Sequence, residues 1–344
     1  MKLRRVVLTA RAFSVANGLR NALLVLILLC GFLSTASARQ PLSAVDLQGY
    51  LLSWTGGPAK SRIVSFVQSI TDPASKHFVP LEQRKAFFDM DGTILCEKPD
   101  YIEVVLTRQR LLEKAERDPQ LQTQPLYKAV LTNDAVYLHD HVKEAIAEAF
   151  AGETLDFFSR YCRNFMLNQT HPRFNRPYVE LFYAPMIELI DYLEDHGVAV
   201  YVVSTSQQEF IRSISSDFLR IPAERIIGTM VGFKLQPSGP NGKPRFVRTR
   251  DYFSPYNADE NKVVRIRERG LLPGIFAFGN SGGDLAMLQA VSSEDLPNLS
   301  CIIDHDDPER EYEYHKPDLL NLAQQNGWII VKMKRDFKTV FREE

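Results

Sequence analysis

Residues 198–203 form an unbroken apolar run, mostly β-branched. A strand of that composition has no polar side to turn toward water. It belongs inside a sheet covered on both faces, which is the situation of a parallel sheet. Residues 275–278, 301–304 and 328–333 repeat the signature, with helical patterns between them. Strands alternating with helices imply an α/β fold built on a doubly wound, mostly parallel sheet. A shorter run, Ala86-Phe87-Phe88, predicts another strand, ended by the Asp91-Gly92 turn. Pro185 opens a helix with Met186, Leu189, Ile190 and Leu193 on one face, stopped at Gly197. Residues 226–235 and 246–249 flank a Pro-Ser-Gly-Pro-Asn-Gly turn and predict a hairpin. Residues 261–269 read as a polar helix.

One stretch breaks the rhythm. Between 98 and 176 no alternating strand occurs. Residues 101–117 and 135–150 read as helices, and Phe158, Tyr161, Cys162 and Phe165 recur at i, i+3, i+4, i+7 in a third. The expected organisation is a core of 83–97 and 177–344, a helical insertion at 98–176, and a leading helical segment at 39–82. In that leading segment Pro58 suits a first helical turn.

Residues 1–38 hold five basic residues, no acidic one, an uncharged apolar run at 22–33 and Ala36-Ser37-Ala38. That is the pattern of a secretory signal peptide cut after Ala38. The run is short for a membrane span, which needs about 20 residues. A periplasmic or secreted protein is expected, or, if the segment is uncleaved, an anchored one with its catalytic domain outside the cytoplasm. The remainder holds 36 basic and 42 acidic residues, a formal charge of −6. This balance argues against a nucleic-acid or anionic-membrane partner, and attraction of an anionic substrate must come from a local site. Apolar content of 45% and charged content of 24% describe a folded chain, not a disordered one. Cys96, Cys162 and Cys301 are odd in number and lack zinc-site spacing, so buried free thiols are expected.

Chemistry concentrates at strand ends. Asp89-Met90-Asp91-Gly92-Thr93 follows the 86–88 strand, and ligands of open α/β sheets sit beyond the carboxyl ends of strands. Two acids one residue apart can divide labour, one attacking phosphorus and the other moving a proton. Two close carboxylates also require a cation, and oxygen donors favour Mg²⁺. Ser204 and Thr205 end the 198–203 strand, where a hydroxyl and a backbone N–H can hold phosphate oxygens. Lys262 opens a polar helix and can neutralise phosphate charge. Asn280-Ser281-Gly282-Gly283-Asp284 follows the 275–278 strand, offering two oxygen-bearing side chains from a glycine-rich turn.

In order and placement these four pieces resemble the motifs of the haloacid dehalogenase superfamily, in particular its phosphoserine-phosphatase-like bacterial hydrolases. The resemblance runs from Trp54 to Phe341 and includes 95–99 and 304–312. It implies a Rossmann-like core with a helical cap inserted after the first motif. It also implies Asp89 as nucleophile, Asp91 as general acid/base, and Ser204, Thr205 and Lys262 around the phosphoryl group. Mg²⁺ would be held by Asp89, the Asp91 backbone carbonyl, Asn280 and Asp284. Many relatives carry an acid where Asn280 stands, which predicts a metal site with less charge. Glu97, at the start of the insertion, is a candidate contact for a cationic part of the substrate. The run His305-Asp306-Asp307 is expected to brace the neighbouring loop and Arg310. The expected activity is hydrolysis of a small phosphomonoester. A phosphotransferase or mutase, or an inactive protein that binds a phosphorylated ligand, would share the scaffold.

Overall fold

The structure is a computed structural model and describes residues 49–342 except 238, 240, 241 and 294. The predicted leader at 1–38 lies outside the described residues. No helix among the described residues is long and apolar enough to cross a membrane.

Pro58 occupies the first turn of α1 (Pro58–Thr71), where its missing N–H leaves no bond unmade, and Ile63, Val64, Val67 and Ile70 form the buried face. After β1 (Lys85–Phe88) the chain leaves the sheet for α2 (Ile102–Arg117), α3 (Pro125–Thr132), α4 (Ala135–Asp140), α5 (Val142–Ala149) and α6 (Leu155–Asn168). It returns through α7 (Ala184–Asp195) to β2 (Ala199–Gln207), α8 (Gln208–Ile214) and β3 (Ile226–Thr229). A hairpin, β4 (Val231–Gln236) and β5 (Arg245–Tyr252), precedes α9 (Glu260–Glu268) and β6 (Phe276–Gly279). Then come α10 (Leu285–Ser292), β7 (Leu299–Asp306), β8 (Glu313–Tyr314), α11 (Pro317–Gln325), β9 (Ile329–Lys332) and α12 (Met333–Asp336).

The main sheet runs β3-β2-β1-β6-β7-β9, all parallel, with β8 antiparallel against the end of β7. Successive strand residues point to opposite faces, and both faces are covered. Phe87, Val203, Ile227, Ala277 and Ile302 pack with Ile266 of α9, Met287, Leu288 and Val291 of α10, and Leu319 of α11. Phe88, Val200, Val202, Phe276 and Phe278 pack on the other side with α1 and α7. The rings of Phe88 and Phe276 stack at 5.7 Å. This double covering is why the strands read as unbroken apolar runs.

From β1 the chain first builds outward to β2 and β3, then returns to β6, β7 and β9 on β1's other side. The order of strands therefore reverses between β1 and β6, and a crevice opens there beyond their carboxyl ends.

Three details differ from the sequence reading. The helix expected at 135–150 is two, because His141 leaves helical backbone (φ −111°, ψ 23°) and its Nδ1 sits 2.9 Å from the Tyr137 carbonyl. Residues 226–235 are not one hairpin arm. Ile226–Thr229 is wholly buried and joins β2 in the parallel sheet, and only Val231–Gln236 pairs antiparallel with β5. The hairpin also docks on the helical insertion: Arg248 N–H donates to Glu153 O at 2.8 Å, and Gly152 N–H to Arg248 O at 3.0 Å. Sequence periodicity carries no sign of that long-range pairing.

Candidate active site

Asp89 is the first residue past β1. Its N–H still donates to Phe278 O at 3.0 Å, which pins it against the end of β6. Lys262, near the start of α9, reaches across to Asp89 Oδ1 at 2.6 Å and Asp284 Oδ1 at 2.7 Å. Asp284 Oδ2 accepts from the N–H groups of Asn280 (3.0 Å) and Ser281 (2.9 Å) and from the Ser281 hydroxyl (3.1 Å). The 280–284 loop is thus wound around the Asp284 carboxylate, which in turn holds the lysine. Thr93 Oγ1 lies 3.4 Å from both Asp89 Oδ2 and Asn280 Oδ1.

Asp91 turns toward β2. Ser206 Oγ donates to its Oδ2 at 2.7 Å and Ser204 Oγ at 3.4 Å. Strand alternation puts Ser206, rather than Thr205, beside Ser204. The period-two rule could have found Ser206 had the strand been extended past residue 203. Asn257, fully buried, ties the ends of β2 and β3 by donating to Ser204 O (2.7 Å) and Ile227 O (3.1 Å). No sequence signal marks it.

The turn between the acids depends on glycine. Gly92 has φ +78°, and a Cβ there would fall on the Asn280 amide and lie 2.8 Å from Glu97 Cδ. Its carbonyl is held by His305 Nε2 at 2.9 Å. A carbonyl oxygen only accepts, so the hydrogen is assigned to Nε2. The other ring nitrogen faces Glu311 Oε2 at 3.2 Å, and Glu311 Oε1 takes Tyr183 Oη and Cys96 Sγ, each at 3.1 Å. Asp307 pairs with Arg310 at 2.5 Å. His305 and Glu311 are both buried. His305→Ala leaves Glu311 without that partner and the loop carbonyl without its donor. The expected loss is roughly 1–3 kcal/mol for the hydrogen-bonding partners left unsatisfied, seen as a lower urea midpoint at unchanged slope.

Charge is unevenly distributed here. Asp89, Asp91, Glu97 and Asp284 are all buried, and Lys262 is their one ion-pairing cation among the described residues. Burial, with the negative charges of Asp284 and Asp91, pushes the Asp89 carboxyl well above the usual carboxylate range despite Lys262. Burial, with Glu97 close by, raises Asp91 to about 6. Burial opposes the charge on Lys262, but Asp284 and Asp89 outweigh it and hold its pKa above the usual lysine value.

Residues 86–289, more than half of the chain, match the haloacid dehalogenase-like hydrolase family. The chain belongs to that family. Asp89, Asp91, Ser204, Lys262, Asn280 and Asp284 all fall inside the matched segment of this hydrolase. Among solved structures it is similar to a conserved functionally unknown protein from Anaerococcus prevotii DSM 20548. The identity is 15% over 78% of this chain and 90% of that one, with a TM-score of 0.50. A protein with unknown function from Bordetella pertussis Tohama I has 16% identity over 72% and 98%, with a TM-score of 0.49. A phosphoserine phosphohydrolase-like protein from Francisella tularensis subsp. tularensis SCHU S4 has 15% identity over 74% and 95%, with a TM-score of 0.41. At 15% identity and a TM-score of 0.50, the Anaerococcus likeness concerns the fold alone. No curated protein matches the chain.

The donor set fits a hard divalent cation. Asp89 Oδ2 and Asn280 Oδ1 flank the same Thr93 hydroxyl, and both are oxygen donors of the kind Mg²⁺ takes. Four buried carboxylates against one ammonium leave a deficit of positive charge that a divalent ion would relieve. Asp284 fits direct ligation less well, because its two oxygens are already occupied by Lys262 and the loop donors.

Proposed function

We propose that this hydrolase cleaves a small phosphomonoester outside the cytoplasm, by transfer to Asp89 and then to water, with Mg²⁺ bound. The observation that carries the reading is the split environment of two acids at one sheet edge. Asp89 is gripped by Lys262 at 2.6 Å, while Asp91 is held apart by Ser206 at 2.7 Å.

The roles follow from those environments. Lys262 keeps Asp89 in place and offers positive charge to phosphoryl oxygens. An oxygen of Asp89 attacks phosphorus as the bond to the leaving oxygen breaks, and Asp91 gives that oxygen its proton. Asp91, now a carboxylate, takes a proton from water. The water oxygen then displaces Asp89, and phosphate leaves. Ser206 holds the Asp91 side chain against rotation at 2.7 Å, and Ser204, whose contact with Asp91 is longer at 3.4 Å, would turn its hydroxyl to the phosphoryl group beside the N–H of Thr205. Mg²⁺, held by the Asp89 carboxylate, the Asp91 backbone carbonyl and Asn280, would neutralise phosphate charge. Positioning and charge stabilisation supply most of the rate in such transfers. The helical insertion with its docked hairpin would serve as the cap over the crevice.

Asp91 at about 6 sets a pH signature. As pH rises through that value, Asp91 loses the proton it must donate, so kcat/KM for an alkyl phosphate should fall. For 4-nitrophenyl phosphate, whose leaving group needs no proton, the fall should be absent. The second phosphate ionisation lies lower in the nitrophenyl ester than in the alkyl ester, so each profile is first corrected for the titration of its own substrate. In kcat/KM, Asp91→Asn should cost the alkyl ester roughly 10²–10⁴-fold and the nitrophenyl ester far less, while the loss of the base for water lowers kcat on both and lets phosphoenzyme accumulate. Parallel profiles for the two esters would remove Asp91 from the acid role. The broad test is release of phosphate from a panel of esters with and without Mg²⁺. Turnover that survives chelation unchanged would end the metal assignment.

A further inference from the structure

We infer that Glu97 supplies the negative charge that Asn280 withholds from the metal site, acting through the Asn280 amide. This rests on the Mg²⁺ reading above and goes beyond it by assigning a positioning residue on a different segment of the chain.

The amide is oriented by its neighbours. Asn280 Nδ2 donates to Glu97 Oε1 at 3.3 Å, while Oδ1 accepts from Thr93 at 3.4 Å. An ionised carboxylate only accepts hydrogen bonds, so the edge facing Glu97 must be the NH₂ and the carbonyl oxygen must face the Asp89 side. Glu97 thereby fixes which atom Asn280 presents to a cation. The charge argument points the same way. A buried carboxylate is costly unless a cation lies close. Glu97 is 6% exposed and has no ion pair among the described residues. Asp284, the other acid at this end of the site, is committed to Lys262 and to the N–H groups of its own loop. Gly92 makes the contact possible, since any side chain there would enter the space between Asn280 and Glu97. A carboxylate backing a ligand amide raises the electron density on the amide oxygen. Residues in that position commonly account for 10–100-fold in metal affinity.

The experiment is calorimetric titration of Mg²⁺ into the full chain, with thermal melts in chelator and in Mg²⁺. Glu97→Gln keeps the shape and removes the charge. Its Mg²⁺ affinity should drop about tenfold or more, and its Mg²⁺-induced rise in Tm should shrink. In chelator it should melt no lower than the wild type, because a buried charge has gone. The double variant Glu97→Gln with Asn280→Asp moves the charge across the hydrogen bond, with the new amide donating to the new carboxylate. It should recover most of the lost affinity. Glu97→Gln with unaltered Mg²⁺ affinity and a raised KM only for amine-bearing esters would overturn the inference and make Glu97 a substrate contact. A double variant as weak as Glu97→Gln would overturn it as well. A wild type that binds no Mg²⁺ would remove the metal reading itself, an outcome separate from either of these.

Discussion

Asp89→Asn should retain less than about one part in 10⁴ of the wild-type kcat on every phosphate ester tried. The amide that replaces the carboxylate is a poor nucleophile, and no other side chain takes over. Asp91 is tied to Ser206 and Ser204, and the Asp284 oxygens are taken up by Lys262 and the loop. The loss should not come from unfolding. The Asp89 carboxyl is held well above its usual range by burial and by the neighbouring acids, so the folded state strains to keep it ionised at neutral pH. Removing that charge should leave Tm unchanged or raise it, while Lys262 keeps its bond to Asp284. Rapid acid quench with labelled substrate should trap phosphoenzyme in the wild type and none in Asp89→Asn. Phosphoenzyme of equal amount in the variant would show that another residue accepts the phosphoryl group.

Lys262→Met is the second large effect, and it strikes stability as well as rate. The ammonium is buried between two carboxylates at 2.6 and 2.7 Å. Truncating one member of such a group leaves the others buried and uncompensated, which typically costs about 3–5 kcal/mol. The loss of a charged donor at the reacting centre adds a fall in kcat of roughly 10²–10³. The pH dependence has a definite sign. A carboxyl whose pKa is raised in the folded state favours folding at low pH, and that contribution is lost as pH rises past its folded value. Asp89 is already such a group, and without Lys262 it becomes more so. The stability gap between variant and wild type in urea unfolding should therefore widen as pH rises through the raised folded pKa of Asp89 in the wild type, where the wild type stops losing stability and the variant does not. Mg²⁺ should narrow it in part, by supplying the missing positive charge. A gap that is small and flat with pH would mean that Lys262 does not neutralise the aspartates.

Much of the architecture was legible in the chain because burial writes itself into composition. The runs around Val200, Phe276 and Ile302 are apolar on both faces, since helices cover both sides of the sheet. Where one helix or strand gave way to another, the pattern was weaker. His141 interrupts a helix through its own backbone geometry, without a change in periodicity. Thr229 and Val231 belong to different sheets although no turn residue separates them.

The same division holds for the site. The chain by itself determined which residues stand at strand ends: Asp89 and Asp91 after β1, Ser204 near the end of β2, Asn280 after β6. It did so because hydrophobic pattern and turn chemistry are local properties. Only the tertiary structure decided what those residues touch. It put Lys262 between Asp89 and Asp284, Ser206 beside Ser204 on the carboxylate of Asp91, His305 on the carbonyl of Gly92, and Glu97 against the amide of Asn280. These contacts join residues as many as 213 positions apart. Their geometry depends on how the strands are ordered in the sheet, and neighbouring residues along the chain carry no record of that.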